Sequence, residues 1–374
     1  MPGRTPDPAF FFSMLKDAID LSAVRRVLVI KLRHHGDVLL SSPVLSVLKN
    51  HAPHAEIDAL VYHDTRDMLS GHPALSQLYT IDRQWKKLGP YGQFVAEWQL
   101  FLALKDRQYD LIVHLTNHKR GAWLVRLLQP RWSVVAAGNY GKWFLNSFTH
   151  RHALVPGGRR HTVEVHLDAL RRLGIQPGTH ERKLTLIPGE RAEAQVHDKL
   201  AQLGLAAGGF ILIHPTSRWM FKTWPVSQMA LLIDQLTVAG HQVVLTSAPD
   251  KEELAMLEQI QGLLKRPVGS LAGQLSLKEL AALIARAKLF LGMDSVPMHM
   301  AAALQVPTVV LFGPTFNNEW GPWQVRSRVM ATEMSCRPCG RDGCGGSKVS
   351  ECLSMILPDQ VFAEIESLLQ EVSA

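Results

Sequence analysis

The chain has 374 residues and a net charge of +7, with 47% hydrophobic and 20% charged residues. This composition excludes a disordered chain, and the length favours two globular domains. The apolar runs are too short for a membrane-spanning helix, and the first residues lack the features of a secretory signal, so a cytoplasmic protein is expected. The basic residues are spread out and carry no nucleic-acid-binding motif. They favour an anionic membrane face or phosphorylated small molecules, or form only a charged surface.

Predicted strands and helices alternate through the first half of the chain, after a leader of 23 residues. Short apolar runs rich in β-branched residues predict buried strands at 27–30, 57–62 and 111–115. Helices are predicted at 38–50, 74–78, 94–105 and 162–173, and the helix at 94–105 is expected to be amphipathic. This alternation is typical of a parallel sheet with helices on both faces.

The same alternation starts again after a connector at 175–189 that contains Pro and Gly. Strands are predicted at 210–213, 242–246, 289–291 and 308–311, and helices at 226–239, 251–264, 277–287 and 359–371. We therefore predict an α/β protein with two Rossmann-like doubly wound domains, at 1–180 and 181–374. Ligands of such sheets bind beyond the carboxyl ends of the strands, so the loops that follow strands are the candidate sites.

A polar loop, residues 33–37, follows the first predicted strand. Asp37 could act as a general base that removes a proton from a sugar hydroxyl, or it could simply cap the next helix. Arg33, His34 and His35 supply positive charge suited to a phosphorylated acceptor, or form a solvated loop.

The loop after the strand at 210–213 contains Thr216, Ser217 and Lys222. Hydroxyl and backbone N–H groups at such a turn can hold phosphate oxygens. Lys222 could neutralise the charge that develops on a departing diphosphate, although a single lysine is more commonly just exposed.

Two later loops add further candidates. Asp294 could accept hydrogen bonds from sugar hydroxyls, with Ser295 beside it, and His299 could donate to a phosphate oxygen. The alternative is a helix cap and a core histidine. The turn at 313–315 either places Thr315 near the same ligand or is only a tight turn.

All four cysteines fall late in the chain, within a segment at 336–352: Cys336, Cys339, Cys344 and Cys352. Four thiolates can bind zinc tetrahedrally, whereas a reducing cytoplasm argues against stable disulfides. The spacing leaves free thiols, a structural zinc site or another role open.

These motifs together resemble the bacterial lipopolysaccharide core heptosyltransferase family. The motifs that carry the resemblance are Gly36-Asp37 with Pro43, His214-Pro215-Thr216-Ser217 with Lys222-Thr223-Trp224-Pro225, Asp294-Ser295 with His299, and Gly313-Pro314-Thr315. They occur in the family's order and span roughly residues 25–370. The stretch 31–37 is most similar to the heptosyltransferase III branch.

The resemblance implies a GT-B fold and an inverting reaction that needs neither a metal nor a cofactor. The first domain would bind the lipid A–core acceptor, with Asp37 as the base. The second would bind ADP-heptose. The family would also contact the cytoplasmic face of the inner membrane peripherally, and the phenylalanines at 10–12 could either reach the membrane or pack as an N-terminal arm.

In the second domain the resemblance assigns the donor diphosphate to Thr216, Ser217 and Lys222, and heptose and phosphate to Asp294 and His299. Many relatives have glycine where this chain has Thr216 and Val296. These two departures would alter donor geometry without changing the class of reaction.

Three alternatives are weighed against this function. A related transferase could use another nucleotide sugar, and a degenerate relative could bind a sugar nucleotide without turnover. A nicotinamide-dependent dehydrogenase shares the fold pattern, but neither first strand is followed by the G-x-G-x-x-G motif that such enzymes need.

Overall fold

Two separate six-stranded parallel sheets organise the chain in the computed structural model, which describes residues 17–116, 118–138, 141–154 and 160–373. Each sheet belongs to its own compact unit. The first unit contains the described residues up to 154 together with 162–183, and the second contains 160–161 and the described residues from 184 onward.

The first unit holds a sheet with the strand order β3-β2-β1-β4-β5-β6. Its strands are β1 (Arg26–Lys31), β2 (Glu56–Tyr62), β3 (Gln77–Ile81), β4 (Leu111–His114), β5 (Trp132–Ala137) and β6 (His150–Ala153). Its helices are α1 (His35–Leu39), α2 (Ser42–His51), α3 (Gly89–Asp106), α4 (Lys119–Leu128), α5 (Lys142–Leu145) and α6 (Thr162–Arg172). Short 3-10 helices lie at Leu21–Ala23, His63–Met68, Arg83–Leu88 and Thr179–Arg182.

The second unit repeats this topology with the order β12-β11-β10-β7-β8-β9. Its strands are β7 (Phe210–His214), β8 (Gln242–Leu245), β9 (Gly269–Ser270), β10 (Leu289–Met293), β11 (Thr308–Leu311) and β12 (Ser327–Met330). Its helices are α7 (Glu190–Gln202), α8 (Val226–Val238), α9 (Lys251–Leu263), α10 (Leu277–Ile284), α11 (Val296–Ala303), α12 (Asn317–Trp320), α13 (Glu351–Ser354) and α14 (Pro358–Ser373). Met220–Lys222 and Cys344–Gly346 are 3-10 helices.

Both orders are those of the Rossmann fold, in which the third, second and first strands are followed by the fourth, fifth and sixth. The central strands β1, β7 and β10 are buried along nearly their whole length. Strands covered on both faces need continuous apolar runs, which explains why these segments could be recognised in the sequence.

Two predicted elements of the first unit were wrong. The helix predicted at 38–50 is two helices, α1 and α2, separated at 40–41. Pro43, in the first turn of α2, has no N–H to donate and would clash with a carbonyl four residues earlier, so a continuous helix is disfavoured. No helix forms at 74–78: residues 74–76 lie in a turn, and Gln77 and Leu78 begin strand β3, where they pair with Asp58 and Ala59 of β2.

The helix predicted at 94–105 is present as α3 but is not amphipathic. All residues of α3 are described, and Leu104 alone among them is buried. Among the described residues no helix combines the length and apolar character needed to cross a bilayer. The phenylalanines at 10–12 lie outside the described residues.

Candidate active site

In the first unit, Asp37 lies beside a buried lysine. Lys31 ends β1 and is 6% exposed, and its Nζ lies 3.5 Å from Asp37 Oδ1. The same ammonium donates to Leu115 O at 3.2 Å and contacts His166 Nε2 at 2.8 Å. Burial lowers the pKa of Lys31, and the Asp37 carboxylate opposes that shift. The pair therefore places a partly exposed carboxylate next to a nearly inaccessible cation.

The position of His166 fixes the direction of this network. Its Nδ1 contacts Leu40 O at 3.0 Å, and because a carbonyl only accepts, Nδ1 carries the hydrogen. When the ring carries this one hydrogen, Nε2 is the acceptor for Lys31. The Lys31 amine is thus held by Leu115 O, directly after β4, and by His166 on α6, and these two contacts keep it next to Asp37 on α1.

The capping alternative for Asp37 is not what the structure shows. The cap residue of α1 is His34, and Asp37 is the third residue of the helix, with its carboxylate directed to Lys31. Gly36 lies within α1 rather than in a sharp turn. An acidic residue in the first turn is still favoured by the helix dipole.

The three residues expected to bind an acceptor differ in exposure. Arg33 and His34 are exposed. His35 is partly buried, and its Nε2 donates to Asp64 O at 2.8 Å. Burial lowers the pKa of His35, so this ring favours the neutral form. Of the three side chains, Arg33 is the one that is both exposed and permanently charged.

In the second unit, three loops at the carboxyl ends of adjacent strands converge on Asp294. Its Oδ2 accepts from Lys222 Nζ at 2.7 Å and from Thr315 Oγ1 at 2.5 Å. Lys222 is on the 3-10 helix after β7, Asp294 follows β10, and Thr315 follows β11. The side chains of Lys222 and Asp294 are 17% and 7% exposed. The structure thus brings together three residues that the sequence predicted separately.

Thr216 and Ser217 lie in the first of these loops but are buried. The Thr216 hydroxyl donates to Glu253 Oε2 at 2.6 Å, so its side chain is turned into the protein. Ser217 Oγ accepts from Trp219 N at 3.4 Å. Any contact of Thr216 with a ligand would therefore come from its backbone.

His214, the last residue of β7, completes this buried network. Its Nε2 lies 3.3 Å from Thr216 Oγ1 and its Nδ1 lies 3.0 Å from Thr246 Oγ1. Since the Thr216 hydrogen goes to Glu253, His214 Nε2 donates to that hydroxyl. Burial lowers the pKa of His214 to about 4.

This lowered pKa predicts acid sensitivity of the second unit. Between pH 6.5 and about 4 the unfolded chain binds a proton at His214 that the folded chain does not. As the pH falls from 6.5 to about 4, the free energy of unfolding should decrease by up to about 3 kcal/mol. Below about pH 4 the contribution of His214 should no longer change. Urea unfolding at several pH values will measure this. A His214→Gln variant should show a shallower pH dependence, and parallel curves would contradict the prediction.

The remaining candidates lie at the start of α11. Ser295 caps this helix, and its Oγ donates to Met293 O at 3.4 Å. Val296 is the first helical residue, and His299 is buried in the helix. The burial of His299 agrees with the core-histidine alternative.

The four cysteines are all described and are free thiols. Cys336 and Cys339 are exposed, Cys352 is buried, and burial raises the pKa of Cys352. Across the described ranges, no three His, Cys, Asp or Glu side chains are grouped as a metal site requires.

The cysteine segment does brace the loops of the second unit. Arg337 Nε donates to Gly313 O at 2.6 Å, and Gly340 N donates to Pro314 O at 2.8 Å. Ser350 Oγ donates to Phe221 O at 2.5 Å, next to Lys222. Gly313 itself has no room for a side chain, because a Cβ there would lie 2.8 Å from Leu353.

The sequence did not predict that Lys31, Glu253 and Arg337 hold the candidate loops in place. A signal existed for Lys31, since a lysine at the end of an otherwise apolar strand must be paired or stay uncharged. Glu253 gave no comparable signal, because it lies in a helix among other acidic residues.

Comparisons with known proteins match this architecture. Residues 97–349 match glycosyltransferase family 9 (heptosyltransferase). The chain is 37% identical over 345 residues to lipopolysaccharide heptosyltransferase 3 of Escherichia coli K12, covering 91% of this chain and 97% of that protein. A glycosyltransferase family 9 structure from Veillonella parvula superposes with a TM-score of 0.81 over 95% of this chain and 100% of the other, at 23% identity. The structure of E. coli ADP-heptose lps heptosyltransferase II superposes with a TM-score of 0.73 over 93% of this chain and 100% of the other, at 22% identity.

The chain therefore belongs to glycosyltransferase family 9, the heptosyltransferases, and is a glycosyltransferase. The predicted fold class, α/β of the GT-B type with two Rossmann-like sheets, is confirmed.

Proposed function

We propose that this enzyme transfers heptose from ADP-L-glycero-D-manno-heptose to the inner core of lipopolysaccharide, as the heptose III addition. The observation that carries this proposal is the similarity, 37% over nearly the full length of both chains, to a protein named lipopolysaccharide heptosyltransferase 3. The reaction is an inverting displacement that uses no metal and no cofactor.

On the acceptor side, Asp37 is the general base. As the acceptor oxygen bonds to the anomeric carbon and the bond to ADP breaks, the hydroxyl proton passes to the Asp37 carboxylate. The neighbouring Lys31 amine lies 3.5 Å from Asp37 Oδ1 and orients the carboxylate for this role. Arg33 and His34 bind the phosphorylated core, and His35 orders their loop through its hydrogen bond to Asp64 O.

On the donor side, the leaving ADP needs compensating positive charge. Lys222 supplies it, and its hydrogen bond to Asp294 holds the ammonium at the carboxyl edge of the sheet. Thr216 through its backbone, Ser217, Ser295 and His299 add contacts to the diphosphate. Asp294 and Thr315 bind heptose hydroxyls.

The substrate also sets where the enzyme works. A lipid-linked acceptor places it at the cytoplasmic face of the inner membrane, held there peripherally. The net charge of +7 supports attraction to anionic headgroups.

The proposal is tested by incubating the purified protein with ADP-heptose and a series of heptose-truncated lipopolysaccharide cores in EDTA. Mass spectrometry should show the gain of one heptose on the core that lacks heptose III. Turnover with another sugar nucleotide in preference would establish the other-donor alternative. Binding of ADP-heptose without a mass gain on any core would establish the non-catalytic one.

A further inference from the structure

An exposed aromatic surface covers one side of the first unit. Its four central residues are Phe94 and Trp98 on α3, Trp123 on α4 and Trp143 on α5, and they are 62%, 49%, 55% and 43% exposed. We call these four residues the aromatic face. None of them belongs to the acceptor loop at 33–37.

The helix α3 explains why this surface is unusual. It has 18 residues, all of them described, of which Leu104 alone is buried, yet apolar residues occupy every side of it. A helix apolar all round is normally enclosed by protein or lipid. Tyr91 and Leu102 extend the exposed apolar area of α3 at 82% and 47% exposure.

The aromatic face is continuous rather than scattered. α3 and α4 form a groove of about 530 Å³ lined by residues that include Trp98, Phe101, Trp123 and Leu127. The rings of Trp123 and Trp143 lie 4.9 Å apart, which joins α5 to the same surface. Contiguous apolar patches of this kind mark interaction sites.

The charge around the aromatic face is strongly positive. The 3-10 helix Arg83–Leu88 with α3, α4 and α5 carries eight basic and two acidic residues. The basic residues are Arg83, Lys86, Lys87, Lys105, Lys119, Arg120, Arg126 and Lys142. Two of these eight cations are compensated, since Arg120 pairs with Glu97 at 2.9 Å and Arg83 pairs with Asp64.

We infer that the aromatic face and its basic rim dock onto an anionic phospholipid bilayer. Tryptophan rings sit at the boundary between headgroups and acyl chains, and surrounding lysines reach the phosphates. This charge complementarity favours a membrane over a second copy of the chain, which would bring two basic rims together. The inference rests on the proposed function for its biological setting and assigns the membrane contact to α3, α4 and α5.

Cosedimentation with vesicles tests the assignment. Wild-type protein should bind vesicles of phosphatidylglycerol and phosphatidylcholine, and should bind weakly to phosphatidylcholine alone. The Trp98→Ser/Trp123→Ser variant should bind these vesicles with an affinity about tenfold lower, or lower still. Lys86→Glu/Lys87→Glu should lose a similar factor, with a larger loss at low salt. The control Leu231→Ser/Leu263→Ser changes residues of the second unit that are 53% and 55% exposed, and should bind as wild type does.

A second assay separates this inference from the proposed function. Heptose transfer to a deacylated, water-soluble core should be the same for wild type and Trp98→Ser/Trp123→Ser. If wild type transfers heptose but ignores anionic vesicles, the docking inference is overturned and the proposed function stands. If the protein binds anionic vesicles but transfers heptose to no core, the docking inference stands and the proposed function is overturned. Dissociation of a wild-type dimer by the tryptophan variant, seen by analytical ultracentrifugation, would assign the face to a second copy instead.

Discussion

Replacing Asp37 by asparagine should lower kcat by about 10²–10⁴-fold, the usual contribution of a general base. Asparagine keeps the size of the side chain and can still accept from Lys31, but it cannot take up a proton. Steady-state kinetics with the deacylated core will measure the loss. Affinity for ADP-heptose, measured by calorimetry, should be unchanged because Asp37 belongs to the unit without the donor loops.

A matched control for this variant is Asp67→Asn. Asp67 lies in the same unit, and its 3.7 Å pair with Arg66 is on the surface, so its loss should leave kcat within about twofold of wild type. An Asp37→Asn enzyme with near-normal kcat would show that another group removes the proton.

Replacing Lys222 by methionine should lower kcat/KM by about 10²–10³-fold, since it removes one donor that stabilises developing charge. Methionine preserves most of the stem of the side chain. Lys251→Met is the control, because Lys251 is exposed at the start of α9, and it should leave kcat/KM unchanged.

The ion pair of Lys222 makes a second variant informative. In Lys222→Met the buried Asp294 carboxylate keeps Thr315 as a partner but loses its cation, so some stability is lost as well. Lys222→Met/Asp294→Asn should recover stability in urea unfolding without recovering activity. Recovery of both would mean that Lys222 acts only by balancing Asp294.

Much of the fold follows from local pattern. Runs such as 27–30 and 210–213 are apolar and β-branched because both faces of a central parallel strand are covered, and this constraint is visible within a few residues. The start of the edge strand β3, at 77–78, was included in a predicted helix because an edge strand is only partly covered and keeps a mixed pattern. The loops after β7, β10 and β11 could likewise be selected from sequence, since loops at that edge of a parallel sheet bind ligands.

The sequence by itself thus determined the class of fold, the candidate loops for the site and the family resemblance. The tertiary structure alone decided which side chains meet. Lys31 is 135 residues from His166 and Thr216 is 37 residues from Glu253, and no local pattern encodes such pairs. It also decided that α3 stays exposed, because the apolar content of a helix reports its need for cover but not whether the chain itself supplies that cover.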